Sequence, residues 1–367
     1  MRRILLLALA LASALNLGFG PPVLTSSEGQ GSALSPYQIR EIGKLAPPQV
    51  KARAAILADA ASGRVLYEKN ARQRISIAST TKIVTAIVAI ERGNLNDQVT
   101  VKRDVVVEGS TMGLWPGSTV TLETLLYGLM HFSGNDAAVA IAEHVGGSVD
   151  SFVAMMNEKA KSLGLEDTHF ANPHGLDQEG HYSSAYDLMQ LTRYAMGNPV
   201  FVRIVGTRQV SVSGRTFVNS NHLLWQYAGA DGVKTGITDL AGESLVASAT
   251  RGGHRLLALA MNSSDRYGDA TALLDLGFNS YRWLPLMLAE NALARFPRSD
   301  GKWALAYTEG QHLVALAPWE EPLLHRFLEL SPSDAWADDG SPAGAVHFYV
   351  GESLVLRLPA FAVSYDF

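Results

Sequence analysis

One segment constrains the fold more than any other. From Thr80 to Arg92 the chain is apolar almost all round, Lys82 to Arg92 reading KIVTAIVAIER, and the run stops at Gly93. A helix without a polar face is a buried helix, and a glycine after it suits a C-terminal cap. The rest of the chain has to cover it. Material for that is ample, with 47% apolar and 18% charged residues among 367. Upstream, AAILADAASGRVLYEKN reads as two strands around Ala61-Ser62-Gly63. Downstream, Leu122 to Phe132, Asp136 to Val145, Val149 to Leu163 and Asp187 to Met196 read as helices, the first three stopping near glycines or short breaks. Strands return at Arg208 to Val212, Val233 to Ile237, Ser244 to Thr250 and Arg255 to Met261, and Asp269 to Tyr281 is helical again. Residues 50–283 therefore read as an α+β domain, an antiparallel sheet flanked by helices with a helical insert.

The ends differ in character. Residues 1–20 carry Arg2 and Arg3 before an apolar stretch from Ile4 to Leu17, the pattern of an export signal. That stretch is short for a spanning helix of roughly 20 residues, so cleavage is expected over anchoring. Residues 21–49, rich in Pro, Ser and Gly, read as a linker. Residues 290–367 hold short strands at Trp303 to Tyr307, His312 to Ala317, Gly344 to Val350 and Ser353 to Leu358, and read as a small C-terminal β domain. The sequence stops at Phe367, and no amphipathic membrane-anchor helix is evident there. There is no cysteine, which rules out disulfides and thiol chemistry and suits an exported protein. The formal charge of −5, or −7 without Arg2 and Arg3, and the lack of a basic run exclude a nucleic-acid binder.

Three short motifs carry chemistry: Ser79-Thr80-Thr81-Lys82, Ser133-Gly134-Asn135 and Lys234-Thr235-Gly236. Each alone is weak, and S-x-x-K recurs at Ser299 to Lys302. Ser79 precedes the buried helix and could simply cap it. A capping box, however, would place Glu or Gln where Lys82 stands, and a cation in the first turn opposes the helix dipole. Residues three apart share a helix face, so Ser79 Oγ and Lys82 Nζ can meet. A lysine with an ordinary pKa of about 10.4 is no base at neutral pH, but burial and a second cation lower it. Lys234 is the obvious second cation. A neutral Lys82 could then take the Ser79 proton during attack on a carbonyl. Ser133 and Asn135 either cap the helix starting near Asp136, or supply a proton-relaying hydroxyl and an amide for the substrate's peptide group. Lys234-Thr235-Gly236 is either an ordinary edge strand, or one whose Gly236 admits a substrate backbone while Lys234 and Thr235 meet a terminal carboxylate.

These motifs together, in this order, resemble those of the penicillin-binding enzymes. The stretches GSTMGLWPG (109–117), LLYGLMHFSGNDAA (125–138), NPHGLDQEGHYSSAYDL (172–188), ADGVKTGITDLAGESLVASA (230–249) and RYGDATALLDLGF (266–278) extend the likeness. They resemble the low-molecular-mass D-alanyl-D-alanine carboxypeptidases, over about 230 residues. The resemblance implies a β-lactamase/transpeptidase-like fold without cofactor. It implies acylation of Ser79, with Lys82 as base and Ser133 in proton transfer. Asn135, Lys234, Thr235 and Gly236 would complete the site, with backbone N–H groups of Ser79 and Ile237 as oxyanion hole and Arg266 on the substrate carboxylate. The implied partners are a peptidoglycan stem pentapeptide ending in D-Ala-D-Ala and β-lactam antibiotics.

Three other readings stand beside this one. A D,D-endopeptidase or transpeptidase would use the same site. A serine β-lactamase would need a deacylating Glu, and the surroundings of Glu166 do not resemble that loop. A non-catalytic wall-binding module is opposed by the intact Ser79 and Lys82. His174 and His181 are expected in structural roles rather than as metal ligands, because no carboxylate or cysteine cluster accompanies them.

Overall fold

The computed structural model describes residues 24–28, 47–102, 105, 107–286, 292–297, 302–310, 312–331 and 340–365. The expected leader, 1–20, lies outside these. The chain divides into two compact units, one comprising Arg40–Trp283 with Ala315–Pro318, the other the remainder.

The larger unit is built on a five-stranded antiparallel sheet. Its strands are β1 (Ala54–Asp59), β2 (Val65–Lys69), β3 (Ala230–Thr238), β4 (Gly242–Arg251) and β5 (His254–Ser263). The spatial order is β2-β1-β5-β4-β3, so β3 is an edge. Every residue of β1 is buried, and alternation splits them between two cores. Ala54, Ile56 and Ala58 join the larger cluster, with Val246 of β4 and Leu257 and Leu259 of β5. Ala55 and Leu57 join the smaller, with Leu245, Leu256, Leu273 and Leu274. The sheet is covered on both faces, which is why its central strands are apolar throughout instead of alternating with polar residues.

The longer helices are α1 (Lys82–Arg92), α2 (Leu122–His131), α3 (Asn135–Gly146), α4 (Val149–Ser162), α5 (Ala185–Ala195), α6 (Pro199–Gly206) and α7 (Arg266–Ser280). As the all-round apolar pattern requires, α1 is the central one, packed against α2 to α6. Its Ile83, Val84, Ile87 and Val88 are all at most 2% exposed, each contributing about 1.5–3 kcal/mol of apolar burial. Gly93 is its C-cap, but in extended rather than left-handed conformation. The helix α6 was not expected from periodicity. Its start signal is chemical: Asn198 Oδ1 accepts from Val200 N at 2.9 Å, and Pro199 occupies the first position.

The smaller unit holds a six-stranded antiparallel sheet, in the order 24–28, 324–330, 341–350, 353–365, 303–307 and 292–297. Residues 21–49 were read as a linker, yet Leu24–Glu28 is a strand paired with Leu324–Leu330. An open sheet edge offers N–H and C=O groups to any extended backbone, so composition alone did not signal this pairing. Among the described residues no helix is long and apolar enough to cross a membrane.

Candidate active site

Ser79 stands in a single 3₁₀ turn, Ala78–Thr81, that leads into α1. Its side chain caps nothing, and Ala78 before it takes a left-handed φ of 46°. Such strain persists only where surrounding structure enforces it. Gly175 supplies part of that enforcement. At φ 91° its backbone lies so close to the turn that a Cβ would fall 1.9 Å from the Ala78 carbonyl oxygen. Behind the turn, Ala171 N donates to His181 Nδ1 at 3.0 Å, which leaves Nε2–H to donate to Thr81 Oγ1 at 2.8 Å. Thr81 Oγ1 in turn donates to the Ala78 carbonyl at 2.8 Å. Gly175→Ala should destabilise the protein by about 2–4 kcal/mol through clash and left-handed backbone. A thermal midpoint within 2 °C of wild type would show that this contact does not brace the turn.

Lys82 is 0% exposed. Its Nζ lies 2.9 Å from Ser79 Oγ, 2.7 Å from Asn135 Oδ1 and 2.5 Å from the His174 carbonyl oxygen. Two of these partners can only accept. In the charged form the third N–H donates to Ser79 Oγ; in the neutral form Asn135 and His174 would take up both N–H groups and turn the lone pair to the Ser79 hydroxyl. Burial, then the Lys234 charge, hold the Lys82 pKa well below the ordinary lysine value, with Asp136 opposing. The arrangement would let a proton pass between the two side chains.

Ser133 and Asn135 sit where α2 passes into α3. Neither caps α3; its N-cap is Gly134, with no side-chain bond. Ser133 has a left-handed φ of 58°, and its hydroxyl has no hydrogen-bond partner among the described residues. Asn135 gives Oδ1 to Lys82 and donates Nδ2 to the Glu108 carbonyl at 2.6 Å, leaving one N–H and one lone pair for a ligand. Asp136, buried beside it, accepts from Met112 N at 2.9 Å and Leu114 N at 3.0 Å, pinning the 109–117 loop to this corner.

Lys234, Thr235 and Gly236 lie on β3, the open edge. Lys234 is 1% exposed, and burial with the nearby Arg266 lowers its pKa to about 7. Its Nζ donates to the Thr235 carbonyl at 3.0 Å. A Cβ on Gly236 would lie 3.2 Å from Ala78 Cβ and 3.3 Å from Ser79 N, so a side chain there would push the strand and the Ser79 turn apart by a few tenths of an ångström. Ile237 beside it is 62% exposed. Arg266, the first residue of α7, donates Nη1 to the Gly236 carbonyl at 3.1 Å. Lys234→Gln would remove the like charge near Lys82 and let Lys82 hold its proton to higher pH. The acid limb of the residual acylation rate should then move to higher pH, on top of a loss of about 10²–10³ in rate. A limb that stays in place would remove Lys234 from the tuning of Lys82.

Of the residues expected from sequence, Ser79, Lys82 and Asn135 are joined by hydrogen bonds, and Gly236, with Arg266 on its carbonyl, comes against the Ser79 turn at the sheet edge. Sequence reasoning missed the His174 and Glu108 carbonyls, Gly175 and the buried Asp136, while His181 has the structural role expected of it. Backbone carbonyls leave no residue-type signature, so no pattern could have disclosed them.

The sequence pattern of the D-alanyl-D-alanine carboxypeptidase family matches residues 42–265. The chain belongs to that family. Among its relatives, D-alanyl-D-alanine carboxypeptidase DacD of Salmonella typhimurium is 40% identical over 334 residues, 85% of this chain and 86% of the relative. DacF of Bacillus subtilis is 38% identical over 266 residues, 69% of this chain and 68% of the relative. Penicillin binding protein 5 from Haemophilus influenzae superposes with a TM-score of 0.76 at 28% identity, covering 88% of this chain and 98% of that structure. The fold is the penicillin-binding one, α+β with a C-terminal β-rich part, and this carboxypeptidase family member is a serine peptidase.

Proposed function

We infer that the protein removes the terminal D-Ala from peptidoglycan stem pentapeptides ending in D-Ala-D-Ala, through an acyl-enzyme on Ser79. The observation that carries this is the buried Lys82, whose Nζ is held by the Asn135 amide oxygen and the His174 carbonyl 2.9 Å from Ser79 Oγ. The substrate's extended end pairs along β3, with its carboxylate at Thr235 and Arg266. Lys82 Nζ takes the Ser79 proton as Oγ bonds to the carbonyl carbon of the penultimate D-Ala, and the oxyanion meets the N–H groups of Ser79 and Ile237. The C–N bond then breaks, and the departing amine receives a proton through the Ser133 hydroxyl. Water next attacks the ester, Lys82 accepts its proton, and the acid product leaves as Ser79 regains its hydrogen. A β-lactam presents the same amide in a ring, so its leaving group stays attached and the ester persists.

A second reading, transfer of the acyl group to an amine, is favoured by one comparison. A mutant of the DD-transpeptidase of Streptomyces K15 is 36% identical with a TM-score of 0.61, covering 63% of this chain and 99% of that structure. The acyl-enzyme is common to both, and only the acceptor differs. The leader supports action outside the cytoplasmic membrane, at the periplasmic or cell-wall face, with tethering where the leader is retained.

The test is incubation with a fluorescent penicillin and with a D-Ala-D-Ala peptide, with and without an added D-amino acid. A stable adduct with release of one D-Ala is the expected result. Exchange of the terminal residue outrunning hydrolysis would favour the transpeptidase. Antibiotic consumed without an adduct would overturn both readings in favour of a β-lactamase.

A further inference from the structure

Three segments that meet at the site are linked by one surface carboxylate. Asp177 lies three residues after His174, whose carbonyl holds Lys82. Its Oδ1 accepts from Ser76 Oγ at 2.7 Å and from Thr238 Oγ1 at 2.8 Å, and its Oδ2 accepts from Leu240 N at 3.1 Å. Thr238 Oγ1 accepts from Ala241 N at 3.2 Å, which leaves its own proton for Asp177. Ser76 stands three residues before Ser79, and Thr238 directly follows Ile237 at the end of β3. Asp177 therefore brackets the segment that carries Ser79 N to the segment that carries Ile237 N.

The physical demand on those two segments is severe. Oxyanion donors act within a few tenths of an ångström of ideal distance, and a misplacement of about 1 Å costs on the order of 100-fold in rate. The two donors belong to strands of chain far apart in sequence, so their spacing depends on whatever cross-links them. A carboxylate oxygen with two lone pairs, receiving one hydroxyl from each side, is a short and directional link. Burial tends to raise the Asp177 pKa, but the hydrogen bonds from Ser76, Leu240 N and Thr238 outweigh it and leave the carboxylate more acidic than usual. The side chain is exposed, so its contribution to global stability is small.

We propose that Asp177 is a positioning residue that sets the spacing of the Ser79 and Ile237 N–H groups, and through it the rate of acyl transfer. This rests on the reading of those two groups as the oxyanion hole of the Ser79 reaction.

The experiment compares Asp177→Ala, Asp177→Asn, Ser76→Ala, Thr238→Val and the Ser76→Ala/Asp177→Ala pair in the full chain. It measures penicillin acylation rate, kcat and KM on a D-Ala-D-Ala peptide, and thermal midpoint. Asp177→Ala should acylate about 30–100-fold more slowly, through kcat with KM within threefold, at a midpoint within about 3 °C of wild type. Asp177→Asn keeps one acceptor for both hydroxyls and should lose only about 3–10-fold. Adding Ser76→Ala to Asp177→Ala should cost nothing more, because the bond is already gone. Acylation by Asp177→Ala within threefold of wild type would overturn the proposal. So would a loss confined to KM, a loss matched by a midpoint drop of 10 °C or more, or losses that multiply in the double variant. If Asp177→Ala fails to fold, Ser76→Ala and Thr238→Val carry the test, each expected to lose about 3–10-fold, and both within twofold sinks the idea. Labelling of Ser79→Ala would instead defeat the underlying site assignment. A silent Ser79→Ala beside a fully active Asp177→Ala defeats only the bracket.

Discussion

Replacing Ser79 with alanine should abolish covalent labelling by penicillin and lower D-Ala release by a factor of about 10⁴–10⁶, the range seen when a nucleophile that acts as a unit with its base is removed. The change deletes one oxygen from a half-buried position whose side chain caps no helix, so the thermal midpoint should stay within a few degrees. The geometry makes the effect nearly total. Lys82 Nζ, 2.9 Å from Ser79 Oγ, has its other contacts to an amide oxygen and a carbonyl, neither of which can be a nucleophile. Peptide mapping of the labelled wild type supplies the check. An adduct that survives in Ser79→Ala, on Ser133 or elsewhere, would end the assignment.

Replacing Lys82 with alanine should leave folding intact and slow acylation by about 10³–10⁴. Lowering the pKa of the buried amine costs stability, each pKa unit of displacement amounting to about 1.4 kcal/mol. Removing it takes away that strain while leaving Asn135 Oδ1 and the His174 carbonyl without their donor. These two effects oppose one another, so the midpoint should move little. The pH profile discriminates further. The wild-type acylation rate should fall as pH drops through the lowered Lys82 pKa, since a protonated amine cannot accept the Ser79 proton. In Lys82→Ala that acid limb should vanish, leaving a slow and flat rate. A near-normal rate, or an unchanged acid limb, would show that another group is the base.

Much of the scaffold was legible in residues alone. KIVTAIVAIER left no face for water, and α1 is indeed the helix that α2 to α6 pack against. The same argument placed Lys82 inside, where an idle cation would be unaffordable. The run Val233 to Ile237, followed by two more strands, put Lys234, Thr235 and Gly236 on a strand, and it is the edge strand. Other features were invisible for definite reasons. Which of the two readings of Ser133 and Asn135 holds was one: Gly134 takes the N-cap, with Ser133 before it at φ 58° and Asn135 the first helical residue, so neither caps the helix. The strand at Leu24–Glu28 is created by the edge it meets, and its own composition reads as loop.

The sequence by itself determined which residue types stand at the site, the spacing that puts Ser79 and Lys82 on one face, and the glycine that lets β3 approach. These are local matters of helical period, strand alternation and side-chain size. Only the tertiary structure decided the lowering of the Lys82 pKa and the shape of the turn that presents Ser79. Desolvation and Coulomb interaction act through space, so the Lys234 charge, the His174 carbonyl and the Gly175 backbone reach Lys82 and Ala78 from segments distant along the chain. Their effect exists only once the fold has closed around them.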